Sequence, residues 1–154
     1  LNEEIITLTP RSVRDEPKAV YRTAAAPSEH SEQAKVFAWA KRNWCVCREL
    51  DELMFSTLNG ISLGGSKASR GRTITKMKAE GMKVGVPDIF LMVARQSWHG
   101  LAIELKRQDG TLSDEQVWWL DKLTEQGYLA TACWGARDAI GVLAEYMDIE
   151  GWED

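Results

Sequence analysis

Two short apolar runs with charges at their ends constrain this chain more than any other feature. The first, Ile89-Phe90-Leu91, is opened by Pro87-Asp88; the second, Leu101-Ala102-Ile103, runs into Glu104-Leu105-Lys106. Side chains at i and i+2 of a strand share a face. Glu104 and Lys106 therefore project together, while Ile103 and Leu105 enter the opposite packing layer. The polar turn ending at Gly100 lets the runs pair as a hairpin, which brings Asp88 close to Glu104. Charges at the end of an apolar strand are costly to bury without a task. Two carboxylates and an ammonium crowded there form a site for a hard divalent cation and an activated water.

Helical patterns surround this pair. Ser28 caps a helix predicted to run to about Trp44, with Glu29 in its first turn. Gln33, Phe37, Ala40 and Trp44 follow Glu29 in one stripe, with Val36 beside it, so Glu29 leads a face that is otherwise turned inward. A first-turn carboxylate is also favoured by the helix dipole alone. Leu53–Leu58 reads as a strand ended by Asn59-Gly60, and Arg72–Glu80 as a short helix stopped by Gly81. Asp88–Ala94 and Leu101–Lys106 are the two central strands. Ser113 begins a helix with Gln116 completing a capping box, Val117, Leu120 and Leu123 as its inner stripe, and Gly127 after its end. Tyr128–Trp134 is a buried strand. Ala136–Met147 is a last helix, turning Ala139, Ile140, Leu143, Ala144 and Met147 inward. The helix between Lys106 and Tyr128 permits a crossover to a parallel neighbour. The expected fold is α/β, a small mixed β-sheet flanked by helices. Residues 1–27, broken by Pro10, Pro17 and Pro27, read as an arm or linker with a short strand at Ile5–Thr9; 28–150 carry the domain; 151–154 are an acidic tail. A leucine at position 1 reads as a processed or trimmed chain.

Composition narrows the function. A chain of 154 residues suits one core. No apolar stretch approaches a membrane span, the N-terminus lacks a basic-then-apolar signal pattern, and three cysteines are no disulfide framework, so an intracellular, cytoplasmic protein is expected. Cys45 and Cys47 have only Cys133, His30 and His99 to complete a zinc site, at no recognisable spacing, and read as packed thiols. Trp39, Trp44, Trp118, Trp119 and Trp134 read as core or interface anchors. Gly60 to Lys67 has the wrong order and spacing for a phosphate-binding loop, which argues against nucleotide hydrolysis. The net charge of −4 conceals a basic segment, Lys67, Arg70, Arg72, Lys76, Lys78 and Lys83, with Arg107 directly after Lys106. Cations beside a carboxylate cluster suit an enzyme that holds a polyanion near a bound metal.

Phosphodiester hydrolysis requires a nucleophile at neutral pH and neutralisation of charge at phosphorus. Asp88 and Glu104 offer hard oxygen ligands, the Leu105 carbonyl a third, and Lys106 a group to orient the attacking water or stabilise the transition state. Glu29 could hold a second metal or a metal-bound water, and Gln33, one turn on, shares its face. An isolated Glu-x-Lys is more often a surface ion pair. Here it ends an apolar run, follows Pro-Asp, and lies beyond a basic segment.

The combination resembles the virus-type replication-repair nuclease (VRR-NUC) family of the PD-(D/E)xK superfamily, particularly its small stand-alone phage members. The residues that carry the resemblance are Glu29 with Gln33, Asn59-Gly60, Lys83-x-Gly85-x-Pro87-Asp88, Glu104-Leu105-Lys106 and Leu112-Ser113-x-x-Gln116 before Gly127-Tyr128. It spans about Ser28 to Tyr146. The resemblance implies a restriction-endonuclease-like core and a magnesium- or manganese-dependent endonuclease. It places metal ligation on Asp88, Glu104 and the Leu105 carbonyl, catalytic support on Lys106, and an accessory acidic role on Glu29, for which Glu32 is a rival. Gln116 is a site-edge residue or simply part of its capping box. The resemblance further implies a homodimer acting on branched DNA, including four-way junctions. The alternatives are a module that grips nucleic acid without cutting it, and a nuclease subunit that depends on a larger assembly.

Overall fold

The computed structural model describes residues 27–57 and 67–152. The expected strand at Ile5–Thr9, the Asn59-Gly60 turn and the end of the acidic tail lie outside them. In chain order the elements are α1 (Glu29–Arg42), α2 (Glu49–Glu52), β1 (Met54–Ser56), α3 (Lys67–Ala79), β2 (Ile89–Leu91), β3 (Leu101–Lys106), α4 (Asp114–Glu125), β4 (Leu129–Trp134) and α5 (Ala136–Met147). One four-stranded sheet is ordered β1-β2-β3-β4. β1 pairs antiparallel with β2, and β2 antiparallel with β3, as a hairpin requires. β3 and β4 are parallel, joined by the α4 crossover. This is the expected mixed sheet flanked by helices.

Alternation along β3 sorts the side chains into two layers. Leu101, Ile103 and Leu105 meet Val36, Trp39, Leu143 and Tyr146 in the larger core, under α1 and α5. Ala102 belongs to a smaller core with Ala130, Ala132, Trp134 and Leu120 under α4. The three alanines leave room for α4 to approach the sheet. That room matters, because Glu104 and Lys106 point into the same layer.

Several elements differ from their sequence expectation. α1 ends at Arg42, where Asn43 closes it, so Trp44 lies beyond the helix and is exposed rather than part of an inner stripe. The buried face is Glu32, Val36, Trp39 and Ala40; Gln33 and Phe37 are half-buried. The offset arises because Glu32 goes inward as a satisfied carboxylate, which an apolar pattern does not register. Cys45 is exposed, while Cys47 and Cys133 are packed. Trp118 is 53% exposed. α3 begins five residues earlier than expected, at Lys67, and the single turn of α2 has no apolar periodicity to announce it. β1 and β2 are shorter than their apolar runs: pairing stops at Ser56 and Leu91, and Met92 is exposed. No helix among the described residues is long and apolar enough to cross a membrane.

The segment that leads into β2 is pinned to α4. The Trp119 indole N–H donates to the Val84 carbonyl at 2.9 Å. Gly85 has φ +78°, and a Cβ there would lie 2.7 Å from Glu115 Cβ and 2.8 Å from Glu115 C. Only glycine satisfies both the backbone angle and the contact. Gly85→Ala is expected to destabilise the protein by about 2 kcal/mol or more, read as a lower urea midpoint at unchanged slope. An unchanged midpoint would mean that this loop is not held against α4.

Candidate functional site

Strand pairing delivers the first two carboxylates. Ile89 stands opposite Ile103, so Asp88, one residue before β2, lies across from Glu104. Thr57 holds the turn before it, its N–H donating to the Asp88 carbonyl and its hydroxyl to the Pro87 carbonyl. Asp88 Oδ2 accepts the Leu105 N–H at 2.9 Å. The carbonyl and N–H of a strand residue point the same way, which puts the Leu105 carbonyl on the Asp88 side.

Glu104 is 1% exposed. Its cross-strand neighbour on β4 is Ala132, which leaves space for the carboxylate. Oε1 accepts from Lys106 Nζ at 2.9 Å and from the Gln116 side-chain amide. Oε2 is buried and has no hydrogen-bond partner among the described residues. Lys106 is itself 7% exposed, and its ammonium also faces Glu29 Oε1 at 3.7 Å. Glu29, at the N-terminus of α1, is half open to solvent.

The charges shift one another. Burial, joined by the negative charge of Asp88, pushes the Glu104 carboxyl from 4.5 up to about 8 against the pull of Lys106. Burial also raises Asp88, partly offset by the Leu105 N–H and by Lys106. For Lys106, burial alone would favour the neutral amine; the hydrogen bond and charge of Glu104, with Glu29 and Asp88, reverse that and raise its pKa. Lys106 is therefore a fixed ammonium, suited to donating hydrogen bonds and neutralising charge.

Glu29 and Glu32 separate by position. Glu32 Oε2 accepts the Ala136 N–H at 2.6 Å, capping α5, and Oε1 pairs with Lys35 at 2.5 Å. Burial works against its charge, yet Lys35 and Ala136 hold its pKa below the ordinary value. Glu32 is thus occupied with structure, and Glu29 is the one turned to Lys106. Gln33 is half-buried on α1, and its side chain makes no hydrogen bond among the described residues. Gln116 makes two contacts: its Oε1 accepts the Ser113 N–H at 2.9 Å, completing the capping box, while its amide N–H reaches Glu104.

The basic residues spread outward. Arg70, Arg72, Lys76 and Lys78 are exposed on α3, and Lys83 is exposed after it. Lys67 begins that helix. Arg107 is held by both Asp109 oxygens, at 3.0 and 2.9 Å, which lowers its availability to a polyanion. The anchoring residues Thr57 and Gly135, whose N–H donates to the Lys106 carbonyl at 2.8 Å, escaped the sequence reading. Of these only Gly135, directly before the last helix, carries a local signal.

Among the described residues, no group of three or more His, Cys, Asp or Glu side chains is placed to hold a metal. The donors on offer are two carboxylates and one backbone carbonyl. The unpartnered Glu104 Oε2, facing a second carboxylate, fits a hard cation that takes few protein ligands and keeps its waters.

Residues 27–137 match the family model of the VRR-NUC domain. The solved structure of a VRR_NUC domain protein resembles this one with a TM-score of 0.59 at 25% sequence identity, covering 82% of this chain and 93% of that chain. No curated protein matches the chain.

The Glu104 environment generates a stability signature. A carboxyl whose pKa is raised on folding favours the folded state while protonated. Its contribution is full below the ordinary 4.5 and is lost as pH rises through about 8. In EDTA, the melting temperature is expected to fall across that window, and Glu104→Gln to flatten most of the fall. Parallel profiles for the two proteins would show that Glu104 is not the strained group.

Proposed function

We propose, from the premise that the chain belongs to the VRR-NUC domain family, that it is a divalent-metal-dependent endonuclease hydrolysing DNA phosphodiester bonds. The domain implies nuclease activity, and a nuclease domain implies DNA as substrate. The observation that carries the finer reading is the pairing of Asp88 with a Glu104 whose Oε2 is buried without a partner, 2.9 Å across its other oxygen from Lys106. Asp88, Glu104 and the Leu105 carbonyl would hold a magnesium or manganese ion. Such an ion supplies a water of lowered pKa and neutralises charge on the scissile phosphate.

The remaining work falls to the side chains. The Leu105 N–H fixes one Asp88 oxygen, which leaves the other free to turn toward Glu104. Gln116 and Lys106 both hold Glu104 Oε1, so its Oε2 keeps its direction. The Lys106 ammonium stabilises charge developing on the phosphate or orients the nucleophile by donation. Glu29, open to solvent and 3.7 Å from Lys106, positions a water at the mouth of the site. The exposed cations of α3 hold the flanking backbone.

The substrate proposed is branched DNA, four-way junctions included, cut by a homodimer. Paired incisions across a symmetric junction need two equivalent sites, which a two-fold dimer provides. An uncovered apolar strip supports association: Phe55 stacks on Phe90 at 5.9 Å, and Phe55 and Met92 are exposed.

Incubation with linear duplex, flap and four-way-junction DNA is expected to give cleavage with magnesium or manganese and none in EDTA, with the junction preferred. Asp88→Asn and Lys106→Ala are expected to lower the rate at least 100-fold while binding persists. Cleavage in EDTA would reject the metal, and failure to cut any substrate would leave a binding module. Sedimentation at cleavage-competent concentrations should report a dimer; a monomer there would remove the paired-site reading.

A further inference from the structure

Among the described residues, α3 is only lightly packed. It is a 13-residue helix, and it forms no substantial interface with any other described helix or strand. Of its side chains, Ser69 and Met77 are half-buried, while Arg70 through Lys76 and Lys78 are exposed. A helix of this length is marginal in water unless something packs on it, and its interior Gly71 weakens it further. It carries no acid within its own span, so its cations repel one another, relieved only in part where Lys76 meets Glu80, just past its end, at 3.8 Å. A helix so composed is completed by a polyanion.

The distribution of the cations says which kind. At 3.6 residues per turn, Ser69 and Met77 mark the side toward the body, and Gly71 with Thr75 the side away from it. Gly71 has nothing within 4 Å of a Cβ position. Arg70 and Lys78 lie on one flank of that outer side, Lys78 the nearer to its midline, and Arg72 with Lys76 on the other, roughly 120–160° around the axis from Lys78. Cations on opposed flanks cannot all meet one row of phosphates. They match two rows, one on each side of the helix. The major groove of duplex DNA, about 12 Å wide between such rows, accepts a helix about 10–12 Å across. Gly71 and Thr75, small and uncharged, would then face the groove floor.

We propose that α3 lies in the major groove of a duplex arm, with Lys78 on one phosphate wall and Arg72 and Lys76 on the other. This rests on the reading of the protein as a DNA nuclease and specifies its substrate as double-stranded beside the cut. The chain continues from α3 through Gly81, in the left-handed region at φ +100°, to Gly85 and Asp88. Docking of the helix thereby bears on the segment that carries the first carboxylate.

Binding of a short duplex and of its single strand, measured in EDTA against salt, tests the proposal. Lys78→Ala should lower the salt slope by about one, and Arg72→Ala with Lys76→Ala by about two. Thr75→Trp, which keeps the charge but adds bulk to the outer side, should weaken duplex binding at least tenfold and leave single-strand binding unchanged, while Thr75→Ala binds normally. Glucosylated hydroxymethylcytosine, which fills the major groove, should weaken binding equally; netropsin, in the minor groove, should not. An effect from one flank alone, an unimpaired Thr75→Trp, or full binding to glucosylated duplex would overturn the groove. Should cleavage in magnesium survive those results, the nuclease reading stands and only the groove is lost. Absence of both cutting and duplex binding removes both.

Discussion

Burial of the Glu104 carboxylate is the condition to which the rest of the site responds. Taking a carboxylate out of water costs several kcal/mol unless partners replace the solvent. Lys106 and Gln116 supply partners for one oxygen. Asp88, facing it with like charge, makes matters worse, and the second oxygen has no hydrogen-bond partner among the described residues. The result is a carboxyl pair that resists carrying two negative charges inside an otherwise well-packed sheet. A stable fold tolerates such a place only because both cores beneath and above it are complete.

The topology explains why these groups meet. An antiparallel hairpin carries Asp88 to Glu104 by register alone. The parallel partner β4 can be reached only by a crossover, and that crossover is α4. Its path over the alanine layer sets Gln116 above Glu104, while the loop pinned by Trp119 and Gly85 sets the approach to Asp88. On the other side of the sheet, Glu32 ties α1 to the start of α5, and Gly135 holds the end of β3. Glu29 is left one turn away, within reach of Lys106. Asp88 arrives from the segment before β2, Glu104 and Lys106 from β3, Glu29 from α1 and Gln116 from α4.

Much of this was legible in the residues. Period-two alternation named β3 and separated Glu104 and Lys106 from Ile103 and Leu105; Ser113 and Gln116 announced α4; Gly127 ended it. The hairpin and the crossover followed from turn length and helix length. What escaped had a common cause. The α1 stripe was misplaced because Glu32 is buried as a hydrogen-bonded charge, and hydrophobic periodicity counts it as outward. α2 is one turn fixed by tertiary context, with no pattern of its own. Apolar runs overstated β1 and β2, because a strand ends where its partner ends, not where its hydrophobicity does. Cys45 and Trp118 are exposed although their residue types favour burial, a preference that surface geometry overrides. The choice between Glu29 and Glu32 depended on which element each one faced, β3 or α5, a long-range fact that one sequence does not contain.

Gln116 joins two kinds of requirement that are usually met by different residues. Its oxygen completes the opening turn of α4, and its nitrogen reaches a carboxylate twelve positions earlier in the chain. For the helix start alone, glutamate would serve as well as glutamine. Beside Glu104 it would not, since a carboxylate can offer no proton to another. The chemistry of the pocket therefore narrows the alphabet at a position where local propensity is indifferent. A protein drifting by neutral exchange could refashion most of α4 and still begin it at this one amide.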